Sequence, residues 1–253
     1  MSKFTDKLQR IYRDTAPSMG FRRSAPEAGD SPLLIIANLA KAGVREAEVI
    51  AGSGIDAGIV SGESLDARSF ERLVAAMGDV PLGLFLEEAN QGEIAKLVDL
   101  GCDFVVFGLK MPLTAVKKEG IGKILKIEPS LDHGLARVIN ELQLPVDGVL
   151  ITGEESSITI ERLLICQRFV ELLDRPLLVT LGSSATSDEL GSLCEAGVSG
   201  LVLPEGLPAE AFAEMRKTVG SLPQIAKRRA KGAALLPQLR SELETEMEED
   251  EEI

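Results

Sequence analysis

The chain is 253 residues long, carries a formal net charge of −13, is 45% hydrophobic, and contains one Tyr and no Trp. An acidic chain this poor in rings offers neither the basic surface nor the stacking platform that nucleic-acid binding needs. No apolar run reaches the ~18 residues of a membrane span, and the amphipathic N-terminus is unlike a signal segment, so a soluble, cytoplasmic protein with no membrane partner is expected.

The N-terminal part, residues 1–31, predicts a helix over Lys3–Asp14 followed by a connection punctuated by Pro17, Gly20, Pro26 and Gly29. From Pro32 to Pro223 short apolar runs alternate with helical patterns. The runs are PLLIIANL (32–39), DAGIVSG (56–62), PLGLFLE (81–87), DFVVFGLK (103–110), KILKIEP (123–129), DGVLITGE (147–154), PLLVTLGS (176–183) and GLVLPEG (200–206). Continuous apolar strands joined by crossover helices indicate a parallel sheet buried on both faces. Eight such units over residues 32–223 fit an α/β fold of the (β/α)8 TIM-barrel type. No GxGxxG follows the first run, which argues against a dinucleotide-binding Rossmann domain. Two units are thin: AKAGVREAEVIAG after the first run and MPLTAVKKEGIG after the fourth.

Residues 224–253 form a third region. Leu236, Leu239 and Leu243 fall on one helical face. Residues 241–253 then hold eight acids and no base, and removing those eight charges from −13 leaves −5 for the rest of the chain. The tail is read as a solvated terminus, and the charged segments 1–31 and 224–253 as the places where a homo-oligomer or a protein partner would attach. Three separated cysteines (Cys102, Cys166, Cys194) with no CxxC pair read as small buried hydrophobes in a reducing compartment.

In such a barrel functional groups stand at the C-terminal ends of the strands, and strand alternation sorts inward from outward positions. In KILKIEP, Lys126 and Glu128 share a face with Ile124 and are expected to point into the barrel. A lysine there costs several kcal/mol unless paired or used. Lys126, Glu128, Lys110 and Glu87 are therefore the candidate catalytic groups, as general acid and base or as a Schiff-base amine. Asn38, Ser61, Thr152, Glu154 and Thr180 reach the same rim as candidate substrate-binding groups. His133, the single histidine, lies on the loop after the fifth strand beside Asp132 and reads as a surface residue. With one His and no clustered Cys, no metal site is expected.

The stretch LGSSATSDELGSLCEAGVSGLVLPEG (181–206) adds a further signal. Gly182, Ser183 and Ser184 form a turn after the seventh strand, a capped helix follows, and EAGVSGLVL leads into the eighth strand. In these residues the chain resembles the ribulose-phosphate-binding barrel superfamily, whose members hold a phosphate on backbone N–H groups at this corner. The resemblance implies a phosphate site at Gly182, Ser183, Ser184 and Gly206. The last turn departs from the pattern: Pro204 has no N–H to donate, and Glu205 sets a negative charge beside the anion unless a cation intervenes. The corner is thus degenerate, and no specific member of the superfamily is matched. No cofactor is expected; a flavin would need the same phosphate grip.

Two functions follow from these residues. One is a lyase, aldolase or isomerase acting on a small metabolite, phosphorylated or not, through Lys and Glu at the barrel mouth. The other is a non-catalytic barrel serving as a structural or regulatory subunit of an assembly.

Overall fold

A computed structural model describes residues 2–14, 31–61, 66–86, 96, 98–117, 119–153, 157–182 and 185–222. Eight parallel strands close into a barrel in sequence order: β1 (Leu34–Asn38), β2 (Ala57–Ser61), β3 (Leu82–Leu86), β4 (Phe104–Gly108), β5 (Gly122–Ile127), β6 (Gly148–Ile151), β7 (Leu177–Thr180) and β8 (Val198–Leu203). Each apolar run of the sequence becomes one strand. The helices are α1 (Lys3–Asp14), α2 (Val44–Ala51), α3 (Ala67–Met77), α4 (Leu113–Val116), α5 (His133–Val138), α6 (Ile160–Leu172), α7 (Ser187–Glu195) and α8 (Ala209–Gly220), with a 3₁₀ turn over Ile139–Glu141 after α5. Lys96 and Val98–Asp99, between β3 and β4, are also helical. The thin units become the eight residues of α2 and the four of α4. No helix among the described residues is long and apolar enough to cross a membrane.

Two apolar clusters follow from strand alternation. Residues such as Ile35, Val105, Leu125 and Val179 point outward and pack under the helices. Leu34, Ile36, Ala57, Ile59, Val106, Ile124, Leu150, Leu178 and Val202 fill the inside. Cys102, Cys166 and Cys194 are free thiols and buried. Burial pushes Cys102 up to about 12 and Cys166 up to about 11, which leaves both without thiolate reactivity at neutral pH.

The floor of the barrel is closed by α1. Phe4 and Leu8, both fully buried, belong to the interior cluster, and the Phe4 ring stacks on Phe104 with centroids 4.3 Å apart. Gly122 makes room for this helix, since a Cβ there would stand 2.5 Å from the Thr5 methyl carbon. An aspartate precedes each of β2, β4 and β6. Asp56 accepts from the Ile35 N–H at 2.9 Å and Asp147 from the Lys123 N–H at 2.8 Å, each pinning the first turn of the neighbouring strand. Asp103 instead accepts from the N–H groups of Lys3 and Phe4, and so caps α1.

Candidate active site

The open end of the barrel is the C-terminal rim of the strands. The parity argument holds for Lys126: it shares the inward face with Ile124, lies beside Gly108 of β4 and Leu150 of β6 in register, and is half-buried. Its Nζ stands 4.6 Å from the centroid of the Phe85 ring, inward on β3. A cation over a ring face is favoured by about 0.5–2 kcal/mol, depending on how dry the contact is. Among the described residues Lys126 is in no ion pair. The half-buried amine is thus held by a ring face rather than by a carboxylate.

Glu128 does not join it inside. β5 ends at Ile127, and Pro129 has no N–H to continue the ladder, so Glu128 is exposed at the rim, where it accepts a long 3.4 Å bond from the Ser130 hydroxyl. Lys110 is likewise exposed, because β4 stops at Gly108 and the chain turns outward. Glu87, Glu154, Ser183 and Ser184 lie outside the described residues. His133 opens α5 on the surface; Asp132 is committed to capping that helix, accepting from the N–H groups of Gly134 and Leu135 at 2.8 and 3.2 Å.

The remaining rim residues stand where alternation puts them. Asn38 closes β1, half-buried, its Oδ1 accepting from the Ala40 N–H at 3.1 Å. Ser61 ends β2 and Thr152 follows β6, both half-buried. Thr180 is tied to its neighbour: its hydroxyl accepts from the Gly153 N–H at 2.8 Å and donates to the Gly153 carbonyl at 2.9 Å. Gly182 is half-buried and Gly206 exposed with a φ of 76°.

Three residues that sequence reasoning passed over shape this rim. Arg162, in the first turn of α6 and 7% exposed, donates to the carbonyls of Thr152, Ile151 and Thr180 at 3.3, 3.3 and 3.4 Å. Gly153 permits this approach, since a Cβ would lie 2.4 Å from the Arg162 guanidinium. The guanidinium thus gathers the ends of β6 and β7 from behind. A cation in the first turn of a helix opposes the helix dipole, and that was the one local signal that Arg162 has another task. Phe85 was available from parity on β3. Lys41 was not: its Nζ lies 2.5 Å from Glu205, 164 positions away. It supplies a cation beside Glu205, so the carboxylate in the last turn does not stand alone. The pair is largely exposed and contributes under ~1 kcal/mol, so it is easily opened by a competing anion.

No protein-family model matches the chain, and no curated protein matches it in sequence. Solved structures do match it. Tryptophan synthase from Mycobacterium tuberculosis is similar at 11% identity and a TM-score of 0.61, covering 87% of this chain and 97% of that one. A variant tryptophan synthase alpha-subunit from Pyrococcus furiosus is similar at 15% identity and a TM-score of 0.58, covering 75% and 97%. A thiamine phosphate pyrophosphorylase from Pyrococcus furiosus is similar at 14% identity and a TM-score of 0.52, covering 74% and 95%. Likeness at this identity is likeness of fold. The chain shares with them a closed (β/α)8 barrel, and no specific member is singled out.

Proposed function

We propose that the protein is a lyase or aldolase that works on a small carbonyl compound through the Lys126 amine. The observation that carries this reading is the place of Lys126: inward at the mouth, over the Phe85 ring, with no ion pair among the described residues. An amine so placed adds to a substrate carbonyl carbon and releases water to form an iminium ion. The iminium then takes up the electron pair of the Cα–Cβ bond as that bond breaks. The β-hydroxyl proton passes to a rim carboxylate, the Cβ fragment leaves as a carbonyl compound, and the enamine left behind is reprotonated at Cα. Water later returns, hydrolyses the imine and frees the amine. The proton transfers fall to carboxylates of the rim, with Glu128, Glu87 and Glu154 as the groups that follow β5, β3 and β6, and with Lys110 as a second cation. Gly182 and Gly206 offer backbone for a phosphate on the substrate, and the Lys41 ammonium stands beside Glu205 to receive such an anion. A thiamine phosphate pyrophosphorylase among the structural neighbours, a protein named for a phosphorylated compound, agrees with that expectation.

Borohydride trapping tests the reading. The full chain is incubated with short 2-oxo acids and with phosphorylated and unphosphorylated aldehydes, reduced, and mapped by mass spectrometry. A single secondary-amine adduct on Lys126, lost in Lys126→Met, is expected. Absence of any adduct, or an adduct that persists in Lys126→Met, overturns it.

A second reading rests on Pro204 and Glu205. A turn that withholds an N–H and adds a carboxylate suits a barrel that has given up phosphate binding and serves as a non-catalytic subunit. Thermal stability in phosphate against chloride at matched ionic strength separates the two, because a ligand at 100 times its Kd stabilises by about 2.7 kcal/mol.

A further inference from the structure

Six glycines lie within the strands: Gly58, Gly83, Gly108, Gly122, Gly148 and Gly200. Five of them are required by packing. A Cβ would stand 2.8 Å from Leu39 at Gly58, 2.4 Å from Phe104 at Gly83 and 2.5 Å from Thr5 at Gly122. At Gly148 it would stand 2.9 Å from Leu8, and at Gly200 2.7 Å from Leu178. Gly108 is different. A Cβ there would meet no atom of the described residues within 4 Å, and its φ lies outside the left-handed region. β4 pairs with β3 and β5 in unbroken register, so no bulge calls for a glycine. The turn that follows is closed by the Met111 N–H donating to the Gly108 carbonyl at 3.1 Å. Its centre is Leu109 and Lys110, and the first position of such a turn makes no demand for glycine. A strand glycine with none of these reasons marks a place where a ligand comes close to the backbone.

That place is the mouth. Gly108 shares the inward face of β4 with Phe104 and Val106, both members of the interior cluster. It stands in register with Lys126 of β5. On the other flank β3 carries Phe85, in register with Val106, and the Phe85 ring receives the Lys126 amine at 4.6 Å. The gap over Gly108 is therefore walled by a ring on one side and a lysine stem on the other. Val106 and Ile124, both fully buried, lie one inward position below and form its floor. Among the described residues these walls are carbon, with the amine at their edge.

We propose that Gly108 sets substrate specificity by keeping this slot open. The slot takes a short, unbranched carbon chain attached to the carbonyl carbon that Lys126 attacks, so the inference rests on the reading of Lys126 as the reacting amine. An apolar slot beside an amine sorts substrates by that chain: a methyl or ethyl group is drawn in, and a charged or branched group is refused.

Two size series on the full chain test this. In the first, glyoxylate, pyruvate, 2-oxobutanoate and 2-oxopentanoate are trapped on Lys126 with borohydride. In the second, acetic, propionic and butyric anhydrides acylate Lys126, which asks for no imine chemistry; both are read by mass spectrometry. Gly108→Ala should lower labelling by the longest member of each series, relative to the shortest, by about 10-fold, the effect of one methyl group in an apolar pocket. Gly108→Val should lower it further. The melting temperature of Gly108→Ala should be unchanged or raised, because the added methyl meets nothing and the unfolded chain loses freedom, whereas Gly83→Ala should melt lower. The anhydride series decides the slot. Labelling in it that both Gly108 variants leave unchanged, or lower equally at every length, overturns the inference. So does a Gly108→Ala protein that melts well below the unaltered chain, since the glycine would then serve the fold. An unaltered chain that traps no oxo acid while position 108 still sorts the anhydrides by length keeps the slot and removes the Lys126 chemistry.

Discussion

Asp103, the residue that leads into β4, accepts a hydrogen bond from the Ser2 hydroxyl at 2.7 Å, across 101 positions of sequence. The same carboxylate takes the N–H groups of Lys3 and Phe4 at 2.7 and 2.9 Å. A strand-entry residue of the barrel is thus the cap of a helix that belongs to none of its βα units. The N–H donors at the helix start find acceptors both nearby and far away: Thr5 donates to the local Ser2 hydroxyl at 3.1 Å, while Lys3 and Phe4 donate to Asp103.

Asp103→Ala should therefore loosen α1 before anything else. Loss of a helix cap costs about 1–2 kcal/mol, and Phe4→Ala, which empties a packed site against Phe104, about 3–5 kcal/mol. Denaturant titration reads both. Hydrogen exchange should show faster exchange in α1 for Asp103→Ala with the strands unchanged; uniform change across the barrel would mean that the cap and the floor are one cooperative unit.

Arg162→Met should strip three strand-end carbonyls of their shared donor and cost about 2–3 kcal/mol. The damage belongs to the ends of β6 and β7, so the Gly153 and Thr180 amides should lose protection first. An unaltered melting temperature would mean that water replaces the guanidinium without cost.

The capping box of α7 gives an acid-side prediction. Thr186 donates its N–H and hydroxyl to Glu189 at 2.8 and 2.9 Å, and the Glu189 N–H returns to the Thr186 hydroxyl at 3.3 Å. Those bonds hold the Glu189 carboxyl below its ordinary value. A depressed carboxyl contributes stability that is present above the ordinary value and is lost as pH falls through the depressed one. Thr186→Ala should lower stability by about 1 kcal/mol near neutrality, and its deficit should shrink in acid, as pH falls through the depressed value and Glu189 protonates in both states. A deficit independent of pH would rule out the ionised carboxylate as a partner.

Lys123 predicts the opposite limb. It is 3% exposed at the start of β5, and burial pulls its amine below the ordinary lysine value against the upward pull of Asp147 and Glu119. The unfolded chain then keeps a proton that the folded chain has released. Stability gains from this residue as pH rises between the lowered value and the ordinary 10.5, and loses it again as pH falls. Lys123→Met should flatten the alkaline limb of melting temperature against pH. Parallel curves for the two proteins would show that the amine reaches water.

Much of this architecture was legible in the chain. Eight buried strands announce themselves as continuous apolar runs, and alternation along KILKIEP put Lys126 on the inside with Ile124. Alternation failed one step later, at Glu128, because it says nothing about where a strand stops; Pro129 was the sign that it stops there. The docking of α1 was not legible either. Lys3–Asp14 reads as an amphipathic helix, but its apolar face meets Phe104 and Asp103 accepts from its first two N–H groups, and neither of these distant contacts leaves a local mark. Arg162 looked like an ordinary helix charge until three distant carbonyls converged on it. The dense apolar content of α6 was visible, yet its meaning depends on which side faces the core.

The two ion pairs among the described residues have one thing in common. Lys41 meets Glu205 above the strands, and Arg216 of α8 meets Asp56 below them while donating to the Gly54 carbonyl at 2.6 Å. Each joins the first βα unit or its successor to the last, across 164 and 160 positions. Contacts of such separation cannot form until most of the chain exists, and they carry a loop-closure cost that slows folding. During synthesis β1 must wait, one edge unpaired, until β8 has left the ribosome. The seam between first and last strand is therefore the latest part of the molecule to be made whole, and a chain released short of Arg216 would expose it.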